Sequence, residues 1–294
     1  MSEQARAYLE QMYTIMRTRS IKRLTIDWDA FHTRVFNTAA GAQSIASLSP
    51  AIREALTLLA DGHSSYIPPT GATIFVATRT CRSSNAPNPA INAPVGYVRI
   101  GAFSGSDPTA FANMIQGIIS VGDRDDLLGW IVDLRGNGGG NMWPMIAGVG
   151  PILGDGVNGH FIDPTGQVSA WEYRDGASVL GGTALVRVAT PYRLRRPSPK
   201  VAVLIDNGVA SSGEATAIAF RQRPNTRTFG SATCGLSTAN STFTLSDGAT
   251  LNLTVSVMAD RTRTPYGDQV PPDEVTGDPN DTVQRAIAWL RGTP

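Results

Sequence analysis

The chain has 294 residues, room for one large domain or two small ones, and 41% hydrophobic against 17% charged residues excludes a disordered chain. Its 25 basic and 24 acidic residues leave a formal charge of +1, so no basic surplus exists to attract nucleic acid or an anionic membrane, and neither is expected as a partner. The longest apolar runs, such as 201–205, are far too short to span a bilayer.

Residues 3–60 read as helices. Tyr8, Met12, Ile15 and Met16 share one helical face, and Ile52, Ala55, Leu56, Leu58 and Leu59 share another, with Pro50 suited to a first turn. The opening residues lack the long apolar core of a signal peptide, so the chain is expected in the cytoplasm, or exported had a leader been trimmed from it. The second helix must stop within Asp61-Gly62-His63-Ser64-Ser65-Tyr66-Ile67-Pro68-Pro69, and the Ser/Asn/Pro-rich stretch 82–94 reads as a loop or boundary. From Val95 the pattern changes to short strands and helices: strands at 97–100 and 130–134 around a helix at 110–121, then a wholly apolar run at 201–205 of the kind found in buried parallel strands. A helix at 215–221 follows, then a hairpin of 242–245 and 251–257 about Asp247-Gly248, and a closing amphipathic helix at 282–290. The expected class is α/β, with a small helical N-terminal domain over 1–80 that contributes His63, a linker at 81–95 and an α/β core over 96–294.

Residue scarcity narrows the chemistry. The lysines are Lys22 and Lys200 and the histidines are His32, His63 and His160, so a catalytic base of either type must come from these five. Cys81 and Cys234 are too few for a disulfide scaffold or a zinc cluster; they can form one bridge, and the sequence leaves that open. No clustered histidines, cysteines or carboxylates have ligand spacing, so no metal or other cofactor is expected.

Three segments sit where a loop leaves a strand or helix end. Asp133-Leu134-Arg135-Gly136-Asn137-Gly138-Gly139-Gly140 runs an apolar strand into four glycines, which suits either an oxyanion hole or a plain tight turn; no lysine follows, so it is not a Walker loop. Asp206-Asn207-Gly208-Val209-Ala210-Ser211-Ser212-Gly213-Glu214 places a serine at a strand-to-helix junction, in the field of a helix N-terminus, yet Ser211-x-x-Glu214 is equally a capping box. Of the histidines, His32 reads as packed or surface and His160 lies at the start of a strand. His63 alone is flanked by Gly, Ser and Asp in a loop after a helix, where a base or a solvated cap would both fit.

Together, Asp-Leu-Arg-Gly-Asn-Gly-Gly-Gly at 133–140, Ala-Ser-Ser-Gly-Glu at 210–214 and Asp-Gly-His-Ser at 61–64 resemble the tail-specific (C-terminal processing) serine peptidases, a family that includes the tricorn core. Gly230-Ser231-Ala232-Thr233-Cys234-Gly235 and Val270-Pro271-Pro272-Asp273 match its later signatures, in order. The resemblance implies a crotonase/ClpP-like core, a nucleophile at Ser211, oxyanion donors in the N–H groups of Gly140 and Ser212, and substrate contacts at Gly139, Thr233 and Gly235. Two departures matter. The family's catalytic lysine falls on Leu236, and neither Lys22 nor Lys200 replaces it. Roughly 30 residues separate Tyr66 from Gly96, where the family carries a PDZ domain, against at least about 50 for an ordinary domain, so no PDZ domain is expected. The chain is therefore similar to the tricorn-core and nisin-resistance branch, in which serine and histidine do the work. Carried over, His63 is the general base, with Glu214, Asp61 and Asp268 open as the acid that orients it.

The implied activity is peptide-bond hydrolysis through an acyl-enzyme, on a peptide or small acyl substrate. An esterase on the same site is the first alternative, since such a site attacks esters more easily than amides. A non-catalytic module for apolar ligands is the second, because retinoid-binding modules resemble this fold. An ordinary histidine base would lose activity as pH falls through roughly 6–7. The run Arg193-Leu194-Arg195-Arg196 suits either a carboxylate reader or a solvated loop, and Cys234 reads as a buried thiol beside the site.

Overall fold

A computed structural model describes residues 1–82, 86 and 88–292; of the expected linker, residues 83–85 and 87 lie outside the described residues. The chain divides into two compact units.

The first unit comprises 1–80, 162–167 and 238–257. Its helices are α1 (Glu3–Arg19), α2 (Trp28–Thr38) and α3 (Ser49–Leu59). Ser2 caps α1 by accepting from the Ala5 N–H at 3.2 Å, and Asp27 caps α2 through the N–H groups of Asp29 and Ala30. Pro50 sits in the first turn of α3, and Ala60 ends that helix in the left-handed region at φ 49°. The unit also contains strand. β1 (Ser65–Ile67) pairs antiparallel with β2 (Ile74–Phe75) and with β12 (Thr250–Ala259), and β12 pairs with β11 (Thr238–Thr244). One core joins Tyr8, Met12 and Met16 of α1 and Ile52, Leu56 and Leu59 of α3 to Leu251 and Leu253 of β12. The 238–257 hairpin therefore packs with the N-terminal helices, a pairing across nearly the whole chain that local pattern does not carry.

The second unit comprises 81–161, 168–237 and 258–294. Its centre is a five-stranded sheet in the order β13-β10-β9-β4-β3, every pair parallel. The strands are β3 (Gly96–Arg99), β4 (Trp130–Asp133), β9 (Val201–Ile205), β10 (Thr226–Gly230) and β13 (Glu274–Val275). Helices α4 (Pro108–Gly122), α5 (Met142–Leu153), α6 (Ser212–Ala219) and α7 (Pro279–Arg291) complete the layers. In β9, Val201, Val203 and Ile205 join the core shared with α4, α5 and α6, while Ala202 and Leu204 join the core built with α7. Both faces are covered, which is why this strand is an unbroken apolar run. β5 (Gly156–Ile162), β6 (Val168–Arg174), β7 (Ala177–Leu180) and β8 (Thr183–Arg187) follow one another in an antiparallel meander that the sequence pattern did not reveal.

Leu204 is fully buried under α7. Leu204→Ala should therefore cost about 2–5 kcal/mol of unfolding free energy, read from urea denaturation.

Candidate active site

The carboxyl ends of β4 and β9 lead into the two motif loops, the place where open parallel sheets bind ligands. After β4, the Asp133 carboxylate is buried and takes a two-pronged pair from Arg135, Nε to Oδ1 at 2.9 Å and Nη2 to Oδ2 at 2.7 Å. Tyr97 adds its hydroxyl to Oδ2 at 2.9 Å. These bonds fix the strand end, and the glycines then turn. Buried Asn137 ties that turn to the next one. Its Oδ1 accepts the Gly139 N–H at 3.0 Å, its carbonyl accepts the Ala210 N–H at 3.0 Å, and its Nδ2 donates to the Ile100 carbonyl at 3.1 Å. Asp206 adds a second tie, accepting the N–H groups of Gly136 at 2.9 Å and Gly208 at 3.0 Å.

At the end of the second turn, Ser211 has φ 53° and ψ −118°, a conformation that L-residues avoid, and its next residue begins α6. A serine held at positive φ on a strand-to-helix turn has the geometry of a nucleophile elbow. Gly139 is pressed against it. A Cβ there would lie 2.8 Å from the Ala210 carbonyl oxygen and 2.9 Å from the Ser211 Cβ, and its φ of +102° also requires glycine. Gly140, exposed and at φ +104°, is positioned by Phe103, whose N–H donates to the Gly139 carbonyl at 3.0 Å and whose carbonyl accepts from Asn141 at 2.7 Å. The Ser212 hydroxyl donates to the Gly140 carbonyl at 2.6 Å, linking the two turns directly. Among the described residues neither the Gly140 nor the Ser212 N–H donates a hydrogen bond to the protein. Ser212 is the first residue of α6, where helical N–H groups have no partner in the helix.

Glu214 answers the capping-box reading. Its Oε2 accepts the Ser211 N–H at 2.9 Å and the Leu236 N–H at 2.7 Å, and its Oε1 accepts the Gly235 N–H at 2.9 Å and the Thr233 hydroxyl. With four donors on two oxygens, the fully buried carboxylate braces the Ser211 turn against the 233–236 loop. Burial pushes its pKa up to about 7 against the pull of those donors. Thr233 and Gly235, expected along the substrate, spend their hydroxyl and N–H on this carboxylate, and buried Thr233 also accepts the Val270 N–H at 2.8 Å. Cys234 is not a free thiol: it is disulfide-bonded to Cys81, and its N–H donates to the Val209 carbonyl at 2.8 Å. In the last motif, Asp273 holds Arg221 at 2.8 Å and the Thr228 N–H at 2.8 Å.

Ser211, Ser212, Glu214, Gly139, Gly140, Thr233 and Gly235 thus meet in the second unit, whereas His63 belongs to the first. Its loop is set by Asp61, whose Oδ1 accepts the N–H groups of His63 at 2.9 Å and Ser64 at 2.8 Å and whose Oδ2 accepts the Ser64 hydroxyl at 2.6 Å. Asp61 therefore holds backbone. The ring's Nδ1 lies 2.8 Å from Thr238 Oγ1, and Asn240 Nδ2 donates to the His63 carbonyl at 3.0 Å. Burial lowers the His63 pKa to about 4, with Asp61 pulling the other way. Asp268, the third expected acid, accepts the Gln269 N–H on Oδ1 at 2.6 Å. Thr238 and Asn137 carried no assigned role in the sequence reading, because a threonine in a polar run and one asparagine among glycines look like ordinary loop residues.

Lys200 sits with its ammonium 5.4 Å from the centre of the Trp289 ring, and Lys22 follows α1 in the first unit. The arginine run is committed at the surface, Arg193 to Asp175 at 2.9 Å, Arg195 to Asp125 at 3.3 Å and Arg196 to the Leu127 carbonyl at 3.1 Å. Among the described residues no cluster of three or more His, Cys, Asp or Glu is arranged to hold a metal.

A peptidase family S41 model matches residues 94–276. The nisin-resistance protein of Lactococcus lactis subsp. lactis is 30% identical over 268 residues, 90% of this chain and 80% of that protein. The carboxy-terminal processing protease CtpA of Bacillus subtilis (strain 168) is 27% identical over 162 residues, 55% of this chain but only 30% of the protease. Among solved structures, a lipoprotein from Streptococcus agalactiae superposes with a TM-score of 0.77 at 23% identity, covering 100% of this chain and 98% of that one.

Two outcomes test the brace. Glu214→Gln turns one acceptor into a donor facing donors and should cost about 1–3 kcal/mol in urea denaturation. Reducing the Cys81–Cys234 bond should cost about 2–4 kcal/mol by the same measurement.

Proposed function

Because the chain belongs to peptidase family S41, a family of serine peptidases, we propose that it cleaves peptide bonds through an acyl-enzyme with Ser211 as nucleophile and His63 as general base. The observation that carries this is the backbone of Ser211, held at φ 53° on a strand-to-helix turn by Asn137, Gly139 and Glu214. Strain of that kind persists only where the surroundings impose it, and it marks functional turns. The N–H groups of Gly140 and Ser212 supply the oxyanion hole. Ser211 Oγ adds to the substrate carbonyl carbon as its proton passes to His63 Nε2, and the carbonyl electrons move to the oxyanion. Collapse breaks the C–N bond and His63 returns the proton to the leaving amine. Water then repeats the sequence on the ester and frees Ser211.

In this reading the second unit is a crotonase/ClpP-like core, and the enzyme works without a PDZ domain to capture substrate C-termini. Glu214 acts on the nucleophile turn through its N–H and not on the imidazole. The substrate is a peptide, and the printed names of two relatives, a nisin-resistance protein and a carboxy-terminal processing protease, fit a short or unfolded one. The disulfide favours an oxidising compartment over the cytoplasm expected from the N-terminal sequence.

Matched peptide and ester substrates, assayed with wild type, Ser211→Ala and His63→Ala, test the proposal. Peptide turnover in wild type with at least about 10³-fold loss in both variants is expected. Ester turnover without peptide turnover would make it an esterase, and undiminished turnover in Ser211→Ala would overturn the mechanism.

The pH profile has a definite sign. The base must be neutral, so activity falls as pH drops through the folded pKa of His63, at about 4 and not at the ordinary 6–7. Titration of His63 alone should therefore leave turnover near its maximum down to about pH 5. An inflection near 7 belongs to Glu214 and should vanish in Glu214→Gln.

A further inference from the structure

The imidazole of His63 needs its proton on Nδ1 if Nε2 is to accept one from a serine, and some group must hold it there. The sequence offers three acids for this task. Asp61 is occupied by two N–H groups and the Ser64 hydroxyl, Glu214 by its four donors, and Asp268 Oδ1 by the Gln269 N–H. The group against Nδ1 is instead the hydroxyl of Thr238, at 2.8 Å.

Thr238 is placed there by the sheet. It begins β11, and two residues on, Asn240 fixes the His63 carbonyl from the same side of the strand. Asn240 is itself fixed, since its Oδ1 accepts the Thr254 hydroxyl at 2.9 Å. Between Ala239 and Asn240 the pairing with β12 slips by one residue, Ala239 lying opposite Ser256 and Asn240 opposite Thr254. The extra residue is Val255 of β12, so β11 keeps the alternation that puts Thr238 and Asn240 on one face. Thr238 and Asn240 thus grip the ring and the backbone of His63 together.

We propose that Thr238 is the positioning residue of the site, its Oγ1 accepting the Nδ1–H of His63 and so fixing the tautomer and orientation of the base. This rests on the serine–histidine reading above. A neutral hydroxyl takes the place a carboxylate fills in the serine–histidine–aspartate arrangement. It orients the ring and leaves the charge of the imidazolium unbalanced, so the pair gains geometry without a buried anion.

The test uses the full chain labelled with ¹⁵N-histidine. Three histidines give three ring-nitrogen patterns, and His63→Ala assigns the one of interest. His160, whose Nδ1 lies 2.9 Å from the Asp260 carbonyl, serves as an internal Nδ1–H reference. At pH 7 wild type should show His63 protonated on Nδ1, Thr238→Ser should keep that pattern, and Thr238→Val should lose it. In the peptide assay Thr238→Val should lower kcat by about 10–100-fold with KM little changed, and Thr238→Ser should restore most of the rate. An Nε2–H tautomer in wild type would overturn the proposal, as would a Thr238→Val variant with the wild-type tautomer and kcat. Failure of the underlying mechanism is separable, since it would appear as an active Ser211→Ala variant whatever the tautomer.

Discussion

The site depends on one constraint, the left-handed backbone of Ser211. A fully buried parallel strand delivers the chain to the carboxyl end of the sheet, and the next helix starts at residue 212, so residues 206–211 make the whole turn between them. The strain is countered from three directions. Asn137 holds the Ala210 N–H, Glu214 holds the Ser211 N–H, and Gly139 leaves the space that any side chain would fill. What the fold gains is a serine at a helix N-terminus beside two amides with no acceptor among the described residues, an arrangement suited to developing negative charge.

Glu214 carries this constraint outward. The carboxylate that would cap a helix in any protein here also gathers Thr233, Gly235 and Leu236, so the cap and the functional turn are one network. Leu236 joins the network through its N–H. The Cys81–Cys234 bond ties the same loop to a segment 153 residues away and limits how far it can depart from Glu214. The 233–236 loop is thus held by both the carboxylate and the disulfide.

Much of this was legible in the sequence, and the rest was hidden for identifiable reasons. The 201–205 strand was read to the residue because burial on both faces leaves an unbroken apolar run. The Asp247-Gly248 turn placed its hairpin, though not its packing on helices near the other end of the chain. α5 escaped because it is buried almost all round, so Met142–Leu153 shows no amphipathic period, and it carries two glycines and two prolines. The β5–β8 meander escaped because strands such as Thr183–Arg187 are mostly exposed and lack clean alternation. At the candidate site, the turns at Gly139, Gly140 and Ser211 were legible by motif because glycine and strained turns leave a local signature. Thr238 left none, since its meaning lies in a contact 175 residues distant. The acids named from sequence could not be ranked there, because how many donors a carboxylate accepts, four for Glu214, is a tertiary property.

The most direct test of the central claim is the intact mass of the folded protein after treatment with a fluorophosphonate, with the adduct mapped by peptide sequencing. An activated serine predicts one adduct on wild type, located at Ser211, and none on Ser211→Ala or His63→Ala. A folded wild-type protein that takes up no adduct, or one modified at another residue, would contradict it.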